Sequence, residues 1–261
     1  MSSVLESIIE GVLEDVHARE VPLGQLYERL DEAEPLRGAL TALSQPDLRV
    51  IAEVKRSSPS KGELSQISDP AGLAQMYQEG GATVVSVLTE ERRFKGSMAD
   101  FQVVRAAIDT PMLRKDFIVT EFQVVESRLL GADLLLLIVA GLAKSQLVDF
   151  YQLATELGMD VLVETHDERE VEIACDLGAR IIGVNSRNLK TLEVDTKAFE
   201  RLIPMIPADV IRIAESGIAL PSEVAALRAI GANAILVGET LVKAGNPAQT
   251  IQHLLGNAGT V

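Results

Sequence analysis

The sequence predicts an α/β fold in which eight strand–helix units close into a (β/α)8 barrel behind an N-terminal helical extension. A helix-ending glycine phrase recurs along the chain. Apolar runs of strand length alternate with helical patterns. The length of 261 residues suits one such barrel, which typically needs about 250. Residues 1–47 are expected to form the extension and 48–261 the barrel, as a single domain overall.

The extension opens on Val4, Leu5, Ile8, Ile9, Val12, Leu13 and Val16, an apolar stripe at helical spacing. Two readings stay open for it: a plug or side support for the barrel, and a cover over the mouth that carries function. Glu6, Glu10, Glu14 and Asp15 interrupt the stripe, so no secretory signal is expected.

The glycine phrase comes next in order. Gly81-Ala82 precedes a β-rich run at 83–88, and Gly131-Ala132 precedes 134–139. Gly158-Met159 precedes 160–164, Gly178-Ala179 precedes 180–184, and Gly231-Ala232 precedes 233–237. Glycine tolerates the positive φ that closes a helix, and a continuous apolar run suits a strand buried on both faces. Three further strands are expected at 50–55, 112–115 and 210–215. Helical patterns lie near 70–80, 98–109, 121–130, 145–157, 167–177, 195–203, 221–230 and 240–255. Regular alternation argues for a parallel sheet with right-handed crossovers. Eight units of this size favour closure into a TIM barrel over an open sheet, and no G-x-G-x-x-G fingerprint opens the first helix.

Composition narrows the function classes. Apolar residues make up 47% and aromatics only 3%, so aliphatic side chains fill the core. The formal net charge of −14 disfavours general binding to nucleic acid or an anionic membrane. The lone Cys175 excludes an intrachain disulfide and fits a cytoplasmic protein. It lies in a helical stretch and reads as an inert packed thiol. The longest apolar run is too short to span a bilayer.

In such barrels the C-terminal strand ends carry function, and here they are unusually charged. The first strand ends in Glu53 and Lys55, two apart and therefore on one face, though alternation leaves open which face. The third ends at Lys115 and the fifth at Glu164. The sixth runs into Asn185-Ser186-Arg187, the seventh into Glu215-Ser216-Gly217, and the eighth into Gly238-Glu239. A single rim charge reads as a structural ion pair. Five or six strands delivering Glu, Lys or Asn to one mouth form a candidate acid–base set. The Ser/Gly turns after the last two strands, with the basic hydroxyl-rich loop around Ser58, suggest an anion site. Glu239 is expected to point to solvent, leaving only its backbone in use. His17, His166 and His253 are expected to be non-catalytic, and no clustering suggests a metal.

With these residues in place the chain resembles the indole-3-glycerol phosphate synthase family of tryptophan biosynthesis over nearly its whole length. The resemblance rests on Ile51-Ala52-Glu53-Val54-Lys55-Arg56-Ser57-Ser58-Pro59-Ser60, Ser86-Val87-Leu88-Thr89-Glu90, Phe94-Lys95-Gly96-Ser97 and Leu113-Arg114-Lys115-Asp116-Phe117-Ile118. Val163-Glu164-Thr165-His166, Gly183-Val184-Asn185-Ser186-Arg187-Asn188-Leu189 and Ala214-Glu215-Ser216-Gly217-Ile218 complete it in order.

The resemblance implies a carboxy-lyase that closes the indole ring of a carboxyphenylamino-deoxyribulose phosphate, releasing carbon dioxide and water. It implies no cofactor and no metal. Carried over by position, Lys115 is the general acid of ring closure and Glu164 an acid/base group of the dehydration. Lys55 holds the substrate carboxylate, Glu53 and Asn185 orient the lysines and sugar hydroxyls, and Glu215 sits beside them. Arg187 supports the mouth. Ser58, Ser216, Gly217 and Gly238 grip phosphate, and Phe94 and Phe117 border the aryl ring. The expected partner is this small phosphorylated substrate alone, with no nucleic acid, no membrane and a monomeric state. Which of Lys55 and Lys115 is the principal acid stays open. Phosphoribosylanthranilate isomerase, another phosphate-binding barrel, fits less well because its cysteine base has no counterpart here. A barrel that only binds phosphorylated compounds has no need of the paired carboxylates.

Overall fold

The computed structural model describes residues 3–189 and 191–256. Eight parallel strands form a closed barrel: β1 Arg49–Val54, β2 Val84–Leu88, β3 Met112–Lys115, β4 Leu134–Ile138, β5 Asp160–Thr165, β6 Ile181–Asn185, β7 Ile211–Glu215 and β8 Ala234–Val237. Each pairs with its sequence neighbour, and β1 closes the ring against β8. The strand bounds match the expected ones to within a residue. The phrase that marked them has its physical basis: Gly81, Gly131, Gly158, Gly178 and Gly231 all adopt positive φ. At Gly131 (φ 87) the chain turns out of a helix into β4, with Ala132 N–H donating to Ser127 O at 3.0 Å.

Twelve α-helices are present among the described residues. Three precede the barrel: α1 Val4–Arg19, α2 Leu23–Tyr27 and α3 Ala39–Leu43. The outer ring comprises α4 Pro70–Glu79, α5 Met98–Ala107, α6 Glu121–Leu130, α7 Lys144–Glu156, α8 Glu168–Asp176, α9 Ala198–Leu202 and α10 Pro221–Ala229, followed by α11 Glu239–Val242 and α12 Pro247–Leu254. The helix expected over 240–255 is therefore two. Pro247 cannot continue a helix from upstream but suits a first turn, and Asn246 caps the new start by accepting from Gln249 N–H at 3.1 Å.

Two apolar layers divide the core. Outward side chains such as Val50, Ala52, Val54, Met112, Val161 and Val163 pack under the helices. Inward side chains such as Ile51, Leu113, Leu134, Leu136, Leu162 and Ile213 fill the barrel. This settles the face of the charged strand ends. Ile51 points inward, so by period two Glu53 does as well; Leu113 carries Lys115 inward, Leu162 carries Glu164, and Ile213 carries Glu215.

The N-terminal extension serves both ends of the barrel. Leu5 and Ile8 of α1 lie over the C-terminal mouth. Helix α1 is tied there by Arg92, which donates to Glu14 and Asp15 at 2.7 Å each. At the opposite end, Ala39 and Leu43 of α3 join the inner core. Arg37 and Leu40 N–H groups donate to Asp133 and Asp160 at 2.7 Å, beside the starts of β4 and β5. Of the two readings of the Val4–Val16 stripe, the cover is the one α1 takes, and the plug is supplied by α3, which lies outside the stripe. Among the described residues no helix is long and apolar enough to cross a membrane.

Candidate active site

The inward rows of the barrel change from aliphatic to charged at their C-terminal ends, and a cavity of about 1070 Å³, open to solvent, sits on that layer. Glu53, Lys55, Ser58, Phe94, Lys115, Phe117, Glu164, Asn185, Arg187, Glu215, Ser216, Gly217 and Gly238 all line it. Every site residue chosen from the sequence therefore stands on one wall or another of a single cavity.

Its floor is ionic. Lys115 Nζ donates to Glu164 Oε2 at 2.6 Å and lies 3.3 Å from Glu215 Oε2. Lys55 Nζ lies 2.5 Å from Glu53 Oε1. Glu53, Glu164 and Glu215 are only 1–2% exposed, so their charges interact in a poorly screened space. Burial opposes the charge on Lys115, but Glu164, Glu215 and Glu53 outweigh it and hold the ammonium protonated above the ordinary lysine range. Burial likewise opposes the Glu164 carboxylate, yet Lys115 and His166 hold it well below the usual carboxylate range. Glu215 goes the other way. Burial and the neighbouring Glu164 push it up to about 8 despite Lys115. One lysine thus faces one carboxylate that stays ionised and one that retains its proton.

Two glycines make room for these acids. A Cβ at position 238 would meet Glu53 Oε1 at 2.6 Å, and one at position 183 would collide with Glu215 Oε1. Asn185 Nδ2 donates to Glu164 Oε1 at 3.1 Å, and Asn185 Oδ1 accepts from Arg187 N–H at 3.0 Å. Arg187 then donates to Ser60 Oγ at 2.9 Å, linking the loop after β6 to the loop after β1. After β7, Ser216 and Gly217 both take left-handed backbone (φ 71 and 72), and Ser186 Oγ donates to the carbonyls of Glu215 and Ser216. Phe94 and Phe117 form a tilted pair at 6.0 Å between ring centroids.

Three features lie outside the sequence reading. Glu239, partly exposed at the cavity rim, uses its carboxylate as well as its backbone: it accepts from Lys61 at 3.0 Å and Lys243 at 2.8 Å. Glu90 is buried and accepts from the N–H groups of Arg92, Arg93 and Phe94, which shapes the turn that presents Phe94. His166 Nε2 stands 3.2 Å from Glu164 Oε1. Its position two residues beyond Glu164 and four before Glu170 was the available signal, since those spacings bring the ring between two carboxylates. Among the described residues no group of three or more His, Cys, Asp or Glu could hold a metal ion.

Fold and site together define an acid–base enzyme built on a (β/α)8 barrel, with its Lys/Glu set at the C-terminal mouth. The family model for indole-3-glycerol phosphate synthase matches residues 5–254. A protein of that name from Paenarthrobacter aurescens is 55% identical over 256 residues, covering 95% of this chain and 94% of the relative. The protein named indole-3-glycerol phosphate synthase 1 from Streptomyces coelicolor is 53% identical, covering 97% and 95%. A crystal structure of 3-hexulose-6-phosphate synthase superposes with a TM-score of 0.62 at 15% identity, covering 81% of this chain and 99% of that one, a likeness of fold alone. The chain belongs to the indole-3-glycerol phosphate synthase family.

Proposed function

We propose that this chain is a carboxy-lyase that converts a carboxyphenylamino-deoxyribulose phosphate to indole-3-glycerol phosphate, and that the Lys115–Glu164 pair is its acid–base centre. The observation that carries the role assignment is the 2.6 Å contact between these two buried side chains on the inner face of adjoining parts of one cavity.

The chemistry follows from the geometry. When the ring carbon attacks the ketone, negative charge builds on the ketone oxygen. An ammonium held charged by the ionised Glu164 beside it stabilises that oxygen and delivers a proton as it becomes an alkoxide. Loss of the ring carboxylate as carbon dioxide restores aromaticity, so the electrons need no external sink. Loss of water then needs an acid for the hydroxyl and a base for a proton. Glu164, kept ionised, serves as the base, and Glu215, which retains its proton near neutral pH, is a local proton store. Lys55, braced by Glu53, stands where it can hold the substrate carboxylate. The turn at Ser216 and Gly217, with Gly238 and Ser58, offers hydroxyl and backbone groups to phosphate. Phe94 and Phe117 border the aryl end. Arg187 holds the mouth together through Ser60.

We also read the chain as a cytoplasmic monomer that needs neither nucleic acid nor membrane. The net charge of −14 and the single, partly buried Cys175 support this. Sedimentation at micromolar concentration tests the monomer.

The direct test is fluorescence. The chain contains no tryptophan, so indole emission rises over a low protein background when the carboxyphenylamino substrate is supplied. Well-folded protein that forms no indole overturns the assignment. Inorganic phosphate is expected to compete with substrate, and failure to compete removes the anion role from the Ser216–Gly217 turn.

A further inference from the structure

His166 lies just past β5 and outside the cavity lining, behind Glu164. Its ring is clamped between two carboxylates. Nδ1 lies 3.0 Å from Glu170 Oε2, and Nε2 lies 3.2 Å from Glu164 Oε1, close enough for an ion pair though not aligned as a hydrogen bond. Glu170 also accepts from the His166 backbone N–H at 2.8 Å. Its own position is fixed by the first turn of α8, where Asp167 caps the helix by accepting from Glu170 N–H at 2.9 Å. The other groups on Glu164 are Lys115 from β3, Asn185 from β6 and Glu215 from β7. The turn Val139–Gly141, packed beside α8, brings no charge.

This geometry restricts the ring chemically. A neutral imidazole has one N–H and one lone pair. Whichever nitrogen carries the hydrogen, the lone pair of the other faces a carboxylate oxygen at 3.0–3.2 Å. Only the imidazolium offers Glu170 an N–H and Glu164 a positive charge at these distances. Burial favours the neutral ring, but Glu164 and Glu170 outweigh it and push the ring up to about 10.

We propose that His166 is a positioning residue: a permanently charged imidazolium, anchored by Glu170, that keeps Glu164 oriented and ionised while Lys115 is without its proton. This rests on the acid–base reading of Glu164 given above. During ring closure Lys115 gives up a proton and ceases to be a cation. Glu164 then loses its strongest partner at the moment it is needed as a base. A second fixed cation on its other oxygen holds the carboxylate in that interval. Catalysis by Glu164 therefore depends on a residue that touches no substrate.

The test uses His166→Gln and Glu170→Gln in the full chain. His166→Gln is expected to lower kcat about tenfold, less than the 10²–10⁴-fold of losing an acid–base group outright, with KM little changed. Removing a cation raises the Glu164 pKa, so the acid limb of the kcat–pH profile moves up by about one unit. A purely structural residue lowers the melting temperature without moving that limb. In nitrogen-15 spectra the His166 ring of the parent stays charged at pH 8, whereas in Glu170→Gln it is neutral there. An unmoved acid limb in folded His166→Gln, or a neutral His166 ring at pH 7 in the parent, overturns the proposal. If the parent forms no indole the family reading of the reaction falls, and the ring spectra still decide the charge of His166.

Discussion

Two buried clusters of charge lie back to back across β3, and they are built on opposite terms. Lys115 points into the barrel, and Arg114 points out into the helix layer. Every guanidinium nitrogen of Arg114 is met: Nε by Thr89 Oγ1 at 3.2 Å, one terminal nitrogen by Ser127 Oγ at 2.9 Å, the other by Asp116 at 3.1 Å and Glu126 at 3.0 Å. Asp116 is met in turn by Thr89 and by the Phe117 N–H. On the inner side, Glu53 Oε1 and Glu215 Oε2 each meet only a lysine ammonium, at 2.5 and 3.3 Å, and Glu215 Oε1 and the hydroxyl of Ser86 are buried with no hydrogen-bond partner. Native proteins leave few buried polar atoms unmatched. A saturated network has no capacity left for a ligand, while an unsaturated one holds donors and acceptors in reserve. That contrast supports reading the outer cluster as architecture and the inner one as the proposed site of chemistry.

The comparison breaks or holds most sharply on the two adjacent cations. Lys115→Met is expected to lower turnover by about 10²–10⁴-fold, the range for losing a general acid. Its melting temperature should stay close to that of the parent, because Glu215 already holds a proton and Glu164 can take one up in place of the lost charge. Arg114→Met should do the reverse. Removing one partner of a fully buried ion pair costs about 3–5 kcal/mol, read as a lower urea midpoint, while turnover per folded molecule stays near that of the parent. Near-normal turnover in Lys115→Met removes it from the acid role. Lost turnover in folded Arg114→Met makes the outer cluster part of the mechanism.

The barrel was legible because its signals are local. A glycine after each helix and an apolar run after each glycine are sequence neighbours, so the strand bounds came within a residue. The Lys/Glu set was legible for the same reason, since its members lie at or just past the ends of four strands. What the chain hides is what each face meets. The stripe from Val4 to Val16 announces a buried face without naming its neighbour, and only the folded chain shows α1 over one mouth and α3 in the other. Alternation pairs Glu53 with Lys55 but cannot tell inside from outside until the ring closes. The split of 240–255 was readable, because Gly245 and Pro247 form a helix stop and start. The clamp on His166 was not legible, because it comes from the space between Glu164 and Glu170, which spacing alone does not charge.

A smaller effect tests the protonation of the inner cluster. In the unfolded chain the Glu215 carboxyl titrates near 4.5, and in the fold it is pushed up to about 8. Between these values the folded state binds more protons than the unfolded one, so this group's contribution to stability falls as pH rises through that window. Glu215→Gln keeps the shape of the neutral acid and cannot titrate. Its stability–pH curve should fall less steeply than that of the parent between pH 4.5 and 8, and the difference between the curves isolates this group. Parallel curves mean that Glu215 is ionised throughout, which leaves the inner cluster without its proton store.

The weakest perturbation tests where the outer cluster ends. Arg19 of α1 donates to both oxygens of Glu126 at 3.0 and 3.2 Å, which carries the Arg114 network out to the helix that covers the mouth. The Arg19 side chain is 34% exposed, so solvent screens the pair and Arg19→Ala should cost no more than about 1 kcal/mol. The loss should shrink further in concentrated salt. If the cluster is architecture to its edge, kcat and its pH profile stay where they were. A fall in kcat larger than the stability loss explains would mean that α1 conveys its position to Lys115 through Glu126, Arg114 and Asp116, and the separation of the two sides of β3 would fail at that point.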